Sequence, residues 1–250
     1  MNIGALIIGD EILSGKRQDK HFVHLQSVLA KRDLELSWTL IVGDDPQQLE
    51  RALRFSMSSP DLVFSFGGIG ATPDDRTRQT AALVKGVEIK PHPDAVKAIE
   101  GQFGEDAYPN RILMGHLPEG SRIIPNTINR VPGFSLDNHH FMPGFPEMSW
   151  PMLEWILDTH YPNLQGLRPK AERIITITKG RESDLLPTMN EIVAQYPQLK
   201  LSSLPKLSDE PQIEFSLRGD AEQIEQAMQH VMAAGEIDGV IGDGERTGKE

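Results

Sequence analysis

Asp61-Leu62-Val63-Phe64-Ser65-Phe66-Gly67-Gly68-Ile69-Gly70-Ala71-Thr72-Pro73-Asp74-Asp75-Arg76-Thr77 is the stretch that decides the fold. Residues 61–66 form an apolar run of buried-strand length, and the pattern turns helical from Pro73 to Val84. A glycine-rich turn between strand and helix permits close backbone approach, and its exposed N–H groups and the helix dipole attract an anion. Gly67, Gly68, Gly70, Thr72 and Thr77 are therefore candidate phosphate-binding residues. Thr72 or Asp74 serves equally as a plain N-cap, with Asp75 a favourable first-turn charge.

Outward from this turn, strand-length apolar runs alternate with helical patterns over about the first 160 residues, the signature of βαβ units and a parallel sheet covered on both faces. Ile3–Ile8 and Leu34–Val42 read as strands, and residues 22–31 and 46–57 as helices. Ligands of such sheets bind beyond the carboxyl ends of the strands. Two more strand ends carry acids there: Gly9-Asp10-Glu11, followed by Lys16, and Gly43-Asp44-Asp45. Carboxylates gathered at one edge repel each other unless a cation joins them, so Asp10, Glu11, Asp74 and Asp75 are candidate metal ligands. Pro143-Gly144-Phe145-Pro146-Glu147 ends a further strand with a rigid corner, and Pro143 and Gly144 would close the fourth wall.

Residues 122–124, 131–135 and 140–142 look like strands, the last two joined by an Asp137-Asn138 turn. One of His139 and His140 is expected to face solvent. A closing helix runs from Pro146 to Leu157. The reading gives a first domain over 1–162, a loop-like boundary, a small α+β domain over 170–234 in the order strand, helix, strand, strand, helix, and a flexible tail over 235–250.

Of the 250 residues, 25 are Lys or Arg and 36 Asp or Glu, a formal net charge of −11 that disfavours a phosphate-backbone partner and makes nucleic acid an improbable ligand. With no cysteine, any metal must sit on oxygen or imidazole. The opening residues lack a signal-peptide charge order and no segment reaches membrane-span length, so the expectation is a cytoplasmic protein with no membrane partner. Residues 9–17 imitate a P-loop with five residues between the glycines instead of four, and Arg17 stands where Ser or Thr belongs. Gly68-x-Gly70-x-x-Pro73 lacks the third glycine of a dinucleotide fingerprint.

Taken together, Gly9-Asp10-Glu11-Ile12-Leu13-x-Gly15, Val42-Gly43-Asp44, the Gly67–Thr77 segment, Pro132-Gly133-Phe134 and Pro143-Gly144-x-Pro146-Glu147-Met148 resemble the CinA (competence/damage-inducible protein A) family, whose main domain is similar to the molybdopterin-binding domain of MoaB and Mog proteins. Residues 170–234 resemble its small KH-like domain by element order alone, and Lys179-Gly180-Arg181-Glu182 lacks the Gly-x-x-Gly loop of RNA-binding KH modules. The resemblance implies a three-layer α/β fold with a mostly parallel sheet, followed by a small α+β domain. It also implies that the deamidase domain of longer CinA proteins is lacking.

By position, Asp75 and Asp44 match the two functional aspartates of the Mog type, and Glu11 and Asp74 the additional acids of the CinA branch. The chain departs from CinA at Asp19-Lys20-His21, where Asp-Thr-Asn is usual, and at Ala71, where proline is common. Longer CinA proteins hydrolyse ADP-ribose with a metal, and the related domain of FAD synthases can hydrolyse FAD. The first expectation is therefore hydrolysis of a nucleotide pyrophosphate, with Asp75, Asp44 and Glu11 catalytic and magnesium, manganese or cobalt as cofactor. The alternative is a pterin- or nucleotide-binding protein without turnover. Self-association is expected, with a dimer preferred to the trimer of Mog proteins.

Overall fold

The computed structural model describes residues 2–165, 171–178, 182–206, 212–233 and 240–245. It divides into two compact units, 1–165 and 166–250. In the first, β1 (Ile3–Ile8), β2 (Trp38–Val42) and β3 (Leu62–Phe66) are parallel neighbours, with β1 in the middle. Two more strands in the same sheet are β7 (Gly133–Leu136) and β8 (His139–Met142), which make a hairpin whose second arm runs parallel to β3. The order is β2-β1-β3-β8-β7-β6, with β6 (Arg122–Ile124) antiparallel at the edge.

Helices cover both faces, as a mostly parallel sheet requires. On one face Leu25, Val28 and Leu29 of α2 (His21–Ala30) and Met152, Leu153, Ile156 and Leu157 of α6 (Pro146–His160) pack against Ile3, Ala5, Ile7, Phe64 and Phe66. On the other, Leu49, Ala52 and Leu53 of α3 (Pro46–Met57) and Ala81 of α4 (Thr77–Lys85) pack against Leu6 and Ile8. The result is a three-layer α/β unit.

Between α4 and β6 lies an excursion. Two three-residue strands, β4 (Ile89–Pro91) and β5 (His116–Pro118), pair antiparallel and carry between them α5 (Pro93–Phe103) and 3₁₀ turns at 104–107 and 111–115. Strand β2 begins at Trp38 instead of Leu34. Leu34 and Leu36 reach the core from a loop, and the Ser37 N–H bonds to the Ile3 carbonyl as the chain joins the sheet.

Both His139 and His140 are buried, contrary to the expectation that one meets solvent, because β8 is central and covered on both sides. His139 Nε2 bonds Ser56 Oγ at 3.1 Å; His140 bonds Ser135 and Tyr161. Desolvation pushes His139 down to about 4 and His140 down to about 3.

The second unit has strand order β10-β11-β9-β12, all antiparallel: β9 (Ala171–Ile177), β10 (Lys200–Lys206), β11 (Gln212–Gly219) and β12 (Val240–Glu245). Helices α7 (Glu182–Gln195) and α8 (Ala221–Ala233) contribute Leu185, Met189, Ile192, Ile224 and Met228 to its own core. Strand β12 corrects the flexible tail expected over 235–250, since residues 240–245 are held by pairing with the open edge of β9. Lys179–Arg181 and residues 235–239 and 246–250 of that tail lie outside the described residues. Among the described residues no helix is long and apolar enough to cross a membrane.

The two histidines predict a pH dependence. An unfolded imidazole titrates near 6.5, so between that value and 3 the unfolded chain binds more protons than the folded one. The stabilisation is complete above pH ~6.5 and is lost as pH falls. The urea midpoint should begin to drop below pH ~6.5, above the carboxylate range; a midpoint constant from pH 7 to 5 would count against this assignment.

Candidate functional site

Because β1, β2, β3 and β8 run parallel, their following turns meet at one edge of the sheet. Gly9 N–H bonds the Val42 carbonyl and Gly67 N–H the Met142 carbonyl, which ties the turns in pairs. The fit is close: a Cβ on Gly67, whose φ is +105°, would stand 2.2 Å from the Ile8 carbonyl oxygen. Gly144 lies directly over Gly67, where a Cβ would meet its Cα at 3.4 Å.

The glycine turn is held from behind by α4. Thr77, fully buried, donates its hydroxyl to the Gly67 carbonyl at 3.2 Å and its N–H to the Gly68 carbonyl at 3.0 Å. Arg78 donates to the Gly70 carbonyl and also to those of Leu113 and His116. These peptides are trans, so the N–H of each unit points opposite to its carbonyl. Pinning the carbonyls of Gly67, Gly68 and Gly70 therefore turns the N–H groups of Gly68, Ile69 and Ala71 away from α4. None of the three has an acceptor among the described residues.

Thr77 thus belongs to the scaffold of the turn, and its buried hydroxyl is already engaged. Thr72 gives both its N–H and its hydroxyl to Asp75. Asp75 is accordingly an internal cap, and a Cβ on Gly70 would collide with it at 2.4 Å. The sequence reading missed Arg78. Its signal was the spacing 78, 81, 82, which puts an arginine on the apolar face of α4 with Ala81 and Ala82.

The acids converge in part. Asp10 N–H donates to Asp44 Oδ2 at 2.9 Å, and Asp44 N–H to Asp10 Oδ1 at 3.1 Å, so each carboxylate caps the other's turn. Gly43 makes room for this, since a Cβ there would lie 2.3 Å from Asp10 Oδ1. Desolvation, and then the charges of Asp10, Glu11 and Asp74, hold the Asp44 carboxyl above its ordinary value against the Asp10 amide, which lowers it. Asp75 is not among the charges that act on Asp44.

Among the described residues no three His, Asp or Glu side chains are placed to hold one metal ion. Of the four proposed ligands, Asp10 already accepts the Asp44 N–H and Asp75 the Thr72 N–H and hydroxyl.

His21 is buried and stacked on Phe66 with centroids 4.4 Å apart, and its Nε2 donates to the Gly144 carbonyl at 3.2 Å. Desolvation lowers its pKa, and the carbonyl fixes the proton on Nε2. It binds the corner to the sheet, and beside it Glu11, Arg17, Glu147 and Phe145 line a cleft of about 370 Å³. Lys16 is exposed on the turn after α1 (Asp10–Leu13). A larger cleft of about 530 Å³ lies beside the glycine turn and is lined by Thr72, Asp75 and Arg78.

The probable molybdopterin binding domain pattern matches residues 4–165. A CinA-like protein of Syntrophotalea carbinolica is 29% identical over 79% of this chain, and one of Desulfovibrio desulfuricans is 31% identical over 78%; the chain spans about half the length of each. A protein of Caldivirga maquilingensis is 28% identical over 89% of this chain and 90% of its own length. The solved structure of a CinA protein of unknown function from Thermoplasma acidophilum superposes with a TM-score of 0.58 at 26% identity, over 63% of this chain and 96% of that one.

Two substitutions test the site's internal architecture. Thr77→Val keeps the shape and strands the buried Gly67 carbonyl, at a cost of about 1–3 kcal/mol, whereas Thr77→Ser should retain most of the stability. Asp44→Asn keeps an acceptor for the Asp10 N–H and removes a crowded charge. Its melting temperature at pH 7 should equal or exceed that of the parent, with the gap closing as pH falls through the carboxylate range, because a carboxyl raised in the fold takes up its proton there.

Proposed function

The chain belongs to the probable molybdopterin binding domain family, and from that membership we propose that its first unit binds the phosphate or diphosphate of a pterin or nucleotide on the amides of Gly68, Ile69 and Ala71. The observation that carries the reading is the set of three amides without acceptors, fixed in direction by Thr77 and Arg78. Rigid main-chain donors of one turn, aimed in a fixed direction, suit a phosphate, and they need no reorganisation when it arrives.

Titration with inorganic pyrophosphate, AMP and a pterin phosphate should shift the Gly68, Ile69 and Ala71 amide resonances. Gly68→Ala, whose Cβ would meet Thr77 Oγ1 at 2.2 Å, should weaken binding at least tenfold. No shift at millimolar concentrations of any of the three would overturn the reading.

A second reading, hydrolysis of a nucleotide pyrophosphate such as ADP-ribose or FAD, is supported by Asp44, whose raised carboxyl stands among Asp10, Glu11 and Asp74. Water adding across the diphosphate of ADP-ribose gives AMP and ribose 5-phosphate. Those products should appear when magnesium, manganese or cobalt is supplied, and vanish in Asp44→Asn. Ligand binding without product under every metal condition leaves the first reading alone.

A further inference from the structure

Arg78 is only 4% exposed, and no carboxylate pairs with it among the described residues; Asp75 acts on it from a distance. Its Nη2 donates to the Gly70 carbonyl in the glycine turn, and its Nη1 to the carbonyls of Leu113 and His116 in the excursion. A buried guanidinium without a counterion is tolerated only where such dipoles surround it. Here they come from two segments far apart in the chain, and a shift of either one takes an acceptor away from the charge.

The excursion's end of this link is set by packing away from the turn. Leu113 and His116 lie on either side of the buried Gly115, whose carbonyl accepts the His92 N–H at 2.8 Å. Gly115 rests against Ile99 of α5, since a Cβ there would stand 3.2 Å from Ile99 Cδ1. Ile99, fully buried, packs with Ala107 and Ile112 in a small core separate from the two that cover the sheet. Close-packed cores transmit a displacement instead of absorbing it. At the other end of the link, the Gly70 carbonyl shares one rigid peptide with the Ala71 N–H, so moving the acceptor re-aims the donor.

We propose that Arg78 couples the packing of the excursion to the aim of the glycine-turn amides, and that the excursion thereby sets how firmly the turn holds an anion. The second clause rests on the phosphate reading above; the coupling itself does not.

The test compares variants of the full chain. Ile99→Ala, with Ile99→Val as a milder form, is set beside Leu157→Ala, which opens the core of the opposite sheet face in the last turn of α6. Without any ligand, both Ile99 variants should shift the Ala71 amide resonance, and Ile99→Ala should weaken pyrophosphate binding by about fivefold or more. Leu157→Ala should change neither. In Arg78→Lys, whose single ammonium cannot span both segments, Ile99→Ala should add no further shift. The proposal is overturned by an Ala71 resonance indifferent to both Ile99 variants, by one moved as far in Leu157→Ala, by a full Ile99 effect persisting in Arg78→Lys, or by pyrophosphate bound equally in Ile99→Ala. If Ile99→Ala fails to fold, Ile99→Val takes its place; if Arg78→Lys fails, the comparison of Ile99 with Leu157 decides. Shifts that depend on Ile99 in a chain that binds no pyrophosphate uphold the coupling and sink the phosphate reading.

Discussion

Three peptide carbonyls held from behind by one helix are the constraint on which the site depends. Thr77 and Arg78 are consecutive residues in the first turn of α4, and between them they fix the carbonyls of Gly67, Gly68 and Gly70. A trans peptide is rigid, so fixing the acceptor end also aims the donor end. The glycines supply the conformations, with φ of +105° and +67° at the first two, and α4 selects among them. Arg78 extends the same device into the excursion, since its guanidinium joins the glycine turn to Leu113 and His116.

The opposite wall is built on tension. Asp10 and Asp44 each accept the other's main-chain N–H, an exchange that closes two turns at once but brings two negative charges side by side. Glu11 and Asp74 add to the repulsion felt at Asp44. Such crowding is costly in isolation and is tolerated where the backbone bonds compensate. A carboxyl so placed takes up a proton more readily than a free one.

Much of the first unit was legible because its strands are unbroken apolar runs. Residues 3–8 and 62–66 are buried along their whole length, and residues 22–29 and 146–157 carry helical spacing. The strand-end rule then located the turns at 9–11, 43–44, 67–77 and 143–144 without any contact information. What escaped has a physical cause. Strands β4 and β5 are three residues each, too short for any period to show. The internal bonds of Thr77 and Asp75 were not legible because sequence shows which residues carry oxygen, not which amide that oxygen already serves. Arg78 escaped because charge in a helix is read as solvated face by default, while here it is buried beneath the excursion.

A chain with net charge −11 and an acidic wall beside its amide turn is a poor general trap for anions. Lysines or arginines at the turn would raise affinity for every phosphate alike, whereas main-chain donors contribute dipoles that act over a few ångströms and leave the surrounding potential negative. Free phosphate therefore meets repulsion on approach. A ligand overcomes that barrier when another part of it finds contacts of its own. The negative surround therefore opposes the approach of small anions, and it follows from where the strands end and from which residues sit there.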